Sequence, residues 1–210
     1  MNTLVIPANT TVKLRIDAPS DNTRIIVERY ACLSLEYVVA GQHREQRLEV
    51  VLHEYASCEQ TLAFVTPVEA ALVFDYTLNK NSILTLSSKT RLDQASIVRL
   101  RTFQRHLEPQ AQSDVLCKIV VTEAAQWDYT GTIYIAPGAH GTVAQQMNPC
   151  LIGDSGIVKS IPIIEVLAHE VSCKHGAASG KLDEDALRYL GGRGIELFRA
   201  RQLLVESFLQ

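Results

Sequence analysis

Short runs of alternating or β-branched residues, separated by polar or Gly/Pro breaks, extend from residue 10 to about residue 175. Runs of this kind are typical of β-strands. Their spacing of about 8 to 14 residues indicates an all-β body, which is a sandwich, a barrel or a solenoid. The runs lie at 11–16, 23–28, 32–40, 47–55, 61–65, 71–78, 82–88, 96–103, 115–121 and 130–136.

Two features of these runs favour the solenoid. No Asn-Gly or Asp-Gly dipeptide, the commonest hairpin turn, separates them. Several runs also place apolar residues next to small or polar ones, as stacked coils do, instead of alternating strictly. No strict repeat is visible, so periodicity alone leaves the sandwich and the barrel open.

The last thirty residues change to a helical pattern. Acidic residues open the segment Asp183–Leu190, and Gly191-Gly192 follows it, which together predict a short helix. The segment 195–209 predicts a second helix, because its apolar residues recur at helical spacing. These residues are Ala200, Leu203, Leu204 and Phe208. The resulting hairpin is interpreted as a cap on an open solenoid end or as a docking surface for a partner, and the two roles are compatible.

Composition narrows the class of protein. The chain has 210 residues, of which 47% are apolar and 20% charged, which is globular composition. A net charge of −3 gives no argument for nucleic acid or an anionic membrane as partner. The N-terminus has no signal-peptide pattern, no apolar stretch is long enough to span a membrane, and the five cysteines form no paired motif. We therefore expect a cytoplasmic protein with reduced thiols.

Enzyme templates find no match in the sequence. Neither GxxxxGK[ST] nor GxGxxG follows a strand into a helix, so no bound nucleotide is predicted. HExxH and GxSxG are absent as well, and we expect no catalytic residues. A β-helix enzyme acting on carbohydrate stays as an alternative, although it would need a pair of carboxylates that the sequence does not show in a recognisable context.

Isolated histidines are interpreted as structural. His43, His53 and His106 lie in polar segments and are predicted at the surface. His140 follows the Pro137-Gly138 turn and is predicted in a loop. None of these four forms a metal-binding motif with a neighbour in the sequence.

Most of the cysteines and the only tryptophan are predicted in the core. Cys32, Cys58 and Cys117 lie inside strand patterns, where a free cysteine is usually a small buried residue. Cys150 follows a proline, and a redox or cluster-related role stays open for it beside a buried one. Trp127 is interpreted as a core residue.

The segment Glu165–Gly180 carries the residues most suited to metal chemistry: Glu165, His169, Cys173 and His175. On an extended strand Cys173 and His175 share one face, roughly 6.5–7 Å apart along the backbone. A thiolate and an imidazole suit zinc and iron. Two ligands alone do not make a site. Glu165 would lie over about 30 Å from His175 on a straight strand, so sharing a metal requires a turn or a second subunit.

The last eighty residues resemble a known family. The matching segments are Tyr129–Ile135, Ala144–Asn148, Leu151–Asp154, Pro162–Glu165, Val171–Ala177, Gly180–Glu184, Ala186–Leu190, Arg193–Ile195 and Ala200–Leu204. The most specific part is the Cys-x-His-Gly-Ala signature followed by LDE…YL…RGI. Through these residues, over roughly residues 127–208, the chain is similar to the core domain of SufB and SufD, the paralogous β-helix subunits of the SUF iron–sulfur cluster assembly machinery.

The resemblance implies a non-enzymatic scaffold. SufB and SufD cores pair near the C-terminal end of their β-helices, and the helical segment that follows docks the ATPase SufC, whose nucleotide cycle opens the interface where the cluster forms. Cys173 and His175 match the Cys-x-His segment at that interface, and Glu165 matches the glutamate of the Pro-x-x-Glu motif. The resemblance therefore implies a transient iron–sulfur cluster or iron at a subunit interface, with Cys173, His175 and Glu165 as its metal residues.

The chain also departs from the family pattern. Family members usually reach twice this length, with an N-terminal helical region that this sequence lacks. Met147 stands where SufB has its assembly cysteine, while Leu151–Asp154 is SufB-like and Cys173–Ala177 is SufD-like. We expect a right-handed parallel β-helix over residues 1–180 and a C-terminal helical hairpin over 181–210. It would pair with itself or with a SufB-like subunit and dock a SufC-type ATPase. An interaction module without metal chemistry is the alternative.

Overall fold

The computed structural model describes residues 1–17, 22–153 and 155–210, with all their side chains except that of Arg44. Asp154, the last residue of a segment that resembles SufB, lies outside the described residues. Strands come first, and two helices follow. The elements are β1 (Asn2–Ile6), β2 (Thr11–Asp17), β3 (Thr23–Val27), β4 (Cys32–Leu52), β5 (Ser57–Leu78), β6 (Ile83–Leu92), β7 (Ile97–His106), β8 (Gln112–Val121), β9 (Gln126–Ile135), β10 (Val143–Ile152), β11 (Ile157–Val166), β12 (Ser172–Gly180), α1 (Glu184–Gly192) and α2 (Leu197–Leu209).

Strand pairing is parallel throughout and gives a solenoid of about six turns. The first stack contains β2, the first halves of β4 and β5, and then β6, β8, β10 and β12. The second stack contains β1, β3, the second halves of β4 and β5, and then β7, β9 and β11. The predicted parallel β-helix with C-terminal helices is confirmed, whereas its right-handed sense stays a prediction.

The length of one coil changes along the chain. Arg15 and Glu36, on adjacent coils, are 21 residues apart, and Arg29 and Glu54 are 25 apart. Thr122 reaches Leu92 on the coil before it across 30 residues. A period that drifts in this way explains why no repeat is visible in the sequence.

In most strands, side chains alternate between the interior and the surface. In β7 the buried positions are Val98, Leu100, Thr102, Gln104 and His106. Three of these five are polar, and this is why the sequence does not show the alternation as apolar against polar. The surface prediction for His106 is therefore wrong, because the residue falls on an interior position and is fully buried.

At one corner of the solenoid, successive coils each contain a tight turn with a residue in the left-handed conformation. We call the column formed by these residues the turn ladder. Its members have positive φ angles and lie one above another on successive coils. From Asn9 to Gln110, each donates its backbone N–H to the carbonyl of the residue before the next member. Backbone hydrogen bonds thus continue from coil to coil through the turn. The members are Asn9, Tyr30, Tyr55, Asn81, Gln110, Gly141 and Glu170.

The two helices form as predicted. Asp183 is the N-cap of α1, and its carboxylate accepts hydrogen bonds from Asp185 N and Ala186 N at 2.8 and 3.3 Å. Ala200 is the fully buried residue of α2, which packs against β8. The C-terminal Gln210 accepts a hydrogen bond from Lys89 of β6. Among the described helices, neither is long and apolar enough to cross a membrane.

Candidate interface site at the open end of the solenoid

The last coil, formed by β11 and β12, ends the solenoid with an open edge. β11 pairs with β9 and β12 pairs with β10, and no other described strand pairs with either. The N–H and C=O groups along the outer side of an edge strand can bind a further strand. We refer to β11 and β12 together as the open edge.

The outer face of β11 carries three exposed isoleucines, and the charged residues Lys159 and Glu165 share this face. Ile157, Ile161 and Ile163 project from it with 54%, 40% and 43% of their surface exposed. Val166 and Leu167 extend this apolar surface towards the following turn, and both are exposed. An apolar strip beside an unpaired edge is typical of a protein–protein contact surface.

Cys173 and His175 lie on one face of β12, as their spacing predicts. Their register partners on β10, Ala144 and Gln146, are both buried. Paired residues of parallel strands face the same side of the sheet. Cys173 and His175 therefore continue the column of inward-facing side chains of the first stack, which we call the interior column, onto the last strand of that stack. Cys173 is half-buried and His175 is exposed. Burial raises the pKa of the Cys173 thiol, so the protonated form is favoured until a metal or a cation displaces the proton.

Glu165 lies on a different face. Its neighbour Ile164 pairs with the fully buried Ile133, so the alternation directs Glu165 outwards, beside the half-exposed Tyr134. The described residues contain no group of three or more His, Cys, Asp and Glu side chains that could hold a metal ion. Within one chain, Glu165 is therefore not brought together with the Cys173–His175 pair.

A buried polar network begins directly beneath His175 and was not predicted from the sequence. The Gln146 amide accepts a hydrogen bond from Gln104 Nε2 at 3.0 Å and donates one to the Gly131 carbonyl at 3.3 Å. Ser113 then donates to Gln104 Oε1 at 2.6 Å and lies 2.9 Å from His106 Nε2. The glycine is required here, because a Cβ on residue 131 would meet the Gln146 amide at 2.3 Å.

A second buried group surrounds Asn148. Its Oδ1 accepts hydrogen bonds from Trp127 Nε1 at 3.2 Å and Ser160 Oγ at 3.0 Å, while its Nδ2 donates to the Cys117 carbonyl at 2.8 Å. Cys150 is buried against the same asparagine, and burial raises the pKa of its thiol to about 12. A thiol held protonated in this way is unreactive, so the geometry favours the structural interpretation of Cys150.

Four further predictions about single residues agree with the structure, and one does not. Cys58, Cys117 and Trp127 are buried, as predicted, and His140 lies in a turn. The prediction for Cys32 is wrong, because this residue begins β4 on the outward-facing positions and is exposed.

The helical hairpin carries its own exposed apolar surface. Tyr189, Leu197 and Phe198 are 62%, 56% and 66% exposed. Leu187 is half-buried and lines a groove of about 820 Å³ between the helices and the solenoid. Because α2 packs on the flank at β8 while β11 and β12 stay exposed, this arrangement favours the docking alternative over the cap.

These features define a parallel β-solenoid protein with an open C-terminal edge and a helical hairpin on its flank. The model of the family described as "SUF system FeS cluster assembly, SufBD core domain" matches residues 49–208. The chain belongs to this SufBD core-domain family. The match includes coils before residue 127, where the sequence resembles the family only in texture.

Individual relatives carry the same description. The chain is 30% identical over 130 residues to the iron–sulfur cluster assembly protein SufD of Escherichia coli, which covers 61% of this chain and 31% of the relative. It is 34% identical over 101 residues to a SufBD family protein of Synechocystis, and this match covers 48% of this chain and 22% of the relative. With SufB of Bacillus subtilis the identity is 26% over 106 residues, and the match covers 50% of this chain and 23% of the relative. The chain thus matches less than a third of the length of each of these relatives.

Proposed function

We propose that this chain is a non-catalytic, cytoplasmic scaffold subunit of a SUF-type iron–sulfur cluster assembly system, and that it pairs with a second chain along the open edge. The observation that carries the proposal is the unpaired last coil, with backbone groups free on its outer side and exposed isoleucines on its outer face. The second chain is another copy or a SufB-like subunit, since either would present a comparable edge.

Cys173 and His175 would supply part of an iron-binding site shared across that pairing. They lie on β12 at the end of the interior column, where a partner strand would cover them. A thiolate with an imidazole also suits iron. The iron or nascent cluster is cargo held transiently, with the missing ligands coming from the partner. Glu165 joins this site only if the partner reaches the outer face of β11 as well.

A SufC-type ABC ATPase would dock on the helical hairpin. The exposed side chains of Tyr189, Leu197 and Phe198 give it an apolar contact surface of the kind found at interface centres. Nucleotide would bind to the ATPase and not to this chain. Hydrolysis could then act on the paired solenoids through α1 and α2, which follow directly after β12.

Pairing is tested by native mass spectrometry and light scattering of the chain, alone and mixed with a SufB-like subunit. Ile161→Lys with Ile163→Lys places charges on the outer face of β11 and should abolish the complex. Ile83→Lys is the matched control, because Ile83 is also an isoleucine on an outward strand face, 46% exposed, but lies on β6. A complex that survives the double substitution would refute pairing at the open edge.

Iron binding is tested by anaerobic reconstitution with iron and sulfide, alone and with the partner present. Cys173→Ala and His175→Ala should each lower the iron-dependent absorbance of the complex, whereas Cys32→Ala, at an exposed thiol far from the edge, should not. The raised pKa of Cys173 and the incomplete ligand set favour the alternative of an interaction module without metal chemistry. Equal iron content in all variants and the native complex would support that alternative.

ATPase docking is tested by co-purification with a SufC-type protein. Tyr189→Glu with Phe198→Glu should abolish the complex, and because both side chains are mostly exposed, we expect the fold to be retained. Leu187→Glu and Leu203→Glu should weaken it as well, although both side chains are half-buried and stability must be measured in parallel. Tyr30→Glu, on the turn ladder far from the helices, is the control. Undiminished co-purification of the Tyr189 and Phe198 variant would remove the docking assignment.

A further inference from the structure

The last two coils place two exposed histidines side by side at the turn ladder. His140 and His169 occupy the position just before the left-handed residue on adjacent coils, and their imidazole rings stack with centroids 6.4 Å apart and planes 13° apart. Both side chains are exposed. Neither belongs to the Cys173–His175 face of β12.

Between these two coils the backbone hydrogen-bond register of the turn ladder shifts by one residue, and the His140 side chain compensates for the shift. Gln110 N donates to the His140 carbonyl in the regular pattern, but Gly141 N donates to the Glu170 carbonyl instead of to that of His169. The His169 carbonyl, which the ladder leaves without its usual donor, accepts from the His140 Nδ1–H at 3.0 Å. This bond fixes the tautomer of His140, so that the lone pair resides on Nε2.

A histidine whose Nδ1–H donates to a backbone carbonyl while Nε2 stays free is in the state in which proteins present imidazole to metals. The second imidazole, on a neighbouring coil, is held close by the parallel backbone hydrogen bonds of the ladder. On earlier coils, the residues at this same position, just before the left-handed residue, carry opposite charges: Glu54 pairs with both Arg29 and Lys80. Two imidazoles have no such mutual attraction, and a cation shared between them would supply it.

We propose that His140 and His169 form a surface site for a divalent first-row transition metal ion such as Zn²⁺ or Ni²⁺. Both nitrogens must lie about 2.0–2.1 Å from the ion, so the rings have to approach. The site therefore requires the exposed His169 side chain to change rotamer so that its ring approaches His140 Nε2. Water fills the remaining coordination positions. Imidazole ligands select transition metals over Mg²⁺ and Ca²⁺, which prefer oxygen.

The test is calorimetric titration of untagged protein with zinc chloride, with nickel chloride, and with magnesium chloride as the negative control. The background carries Cys173→Ala and His175→Ala, so that the result is independent of the proposed iron site. One equivalent of zinc should bind, and affinity should fall about tenfold or more in His140→Ala and in His169→Ala. His53→Ala, which removes a turn-proximal histidine on an earlier coil, should bind as the background does.

Nitrogen-15 spectra of the histidine side chains give a second readout that does not depend on affinity. Before zinc is added, His140 should show the Nδ1–H tautomer, and zinc should shift His140 Nε2 and a ring nitrogen of His169 together. The proposal is overturned if the background protein binds no zinc, if either alanine variant binds it unchanged, or if zinc shifts only one of the two rings.

Discussion

Gln146 and His175 are register partners on β10 and β12, yet Gln146 is fully buried and His175 is exposed. The interior column is therefore buried at β10 and reaches the protein surface one coil later, at β12. His175, the side chain that the proposed partner would cover, is thus paired in register with a residue whose amide forms hydrogen bonds with Gln104 and Gly131. The buried network and the candidate interface site thus share a boundary.

Replacing Gln146 by alanine should destabilise the solenoid. The change leaves the buried Gln104 amide and the Gly131 carbonyl without their partner and creates a cavity, so we expect the free energy of unfolding to fall by about 2 kcal/mol or more. Urea unfolding followed by circular dichroism measures it. Gln145→Ala is the control, since Gln145 faces outwards on the same strand and is exposed. Equal effects of the two substitutions would contradict the role of the network.

Acid should weaken the fold through His106. Burial lowers the pKa of His106 to about 4 in the folded protein, against about 6.5 in an unfolded chain. Between these values the unfolded chain binds the proton and the folded one does not. Stability should therefore be complete above about pH 6.5 and decline towards pH 4, by about 3 kcal/mol in all.

The measurement is the free energy of unfolding from pH 7 to pH 4.5 for the native chain and for His106→Gln. The variant has no titrating group at this position, so its profile should be flatter over this range. His53→Gln, at a half-exposed turn-proximal position, should keep the native profile. A His106→Gln profile as steep as the native one would show that other groups control the acid response.

β2 through β9 overlap runs that the sequence predicts, while β1, β10, β11 and β12 lie outside those runs. Pro149 lies within β10, Pro162 within β11 and Gly176 within β12, and such residues in a sequence usually indicate the end of a strand. A parallel ladder tolerates them here because adjacent coils supply the remaining hydrogen bonds.

The candidate site was predictable only in part. Spacing alone places Cys173 and His175 on one face, and the structure agrees. The outward direction of Glu165 depends on which residues of β11 face Ile133, and strand register is a tertiary property. The buried position of His106 and the polar role of Gln146 depend on register in the same way, since neither residue type signals an interior site.

Asp75 should stabilise the outer face of the second stack through two arginines. Its carboxylate lies 3.0 Å from Arg47 Nη2 and 2.7 Å from Arg105 Nε, and its side chain is only 10% exposed. Both arginine side chains are more than 40% exposed, so solvent screens much of the attraction. Asp75→Asn should therefore lower the free energy of unfolding by about 1–2 kcal/mol.

Salt separates the charge contribution of Asp75 from its packing. The difference between the native chain and Asp75→Asn, measured by thermal unfolding, should shrink between low ionic strength and about 1 M salt, where the Debye length is about 3 Å. Asp128→Asn is the matched control, because Asp128 pairs with Arg99 at the longer distance of 3.8 Å and is more exposed. Its effect should be near zero at either salt concentration, and an Asp75→Asn effect that is independent of salt would point to packing.

Asp183 connects the open edge to the helical hairpin, and its removal should loosen α1 selectively. The carboxylate caps the first turn by accepting from Asp185 N and Ala186 N, so Asp183→Ala should cost about 1 kcal/mol of helix stability. Hydrogen exchange of the amides in the first turn of α1 should accelerate, while exchange in β8 and β10 stays unchanged. Asp183→Asn is the control, because asparagine caps nearly as well. Since α1 presents Tyr189, the alanine variant should also hold a SufC-type partner less tightly than the asparagine variant does, and equal exchange and equal binding in the two variants would show that this cap does not order the docking surface.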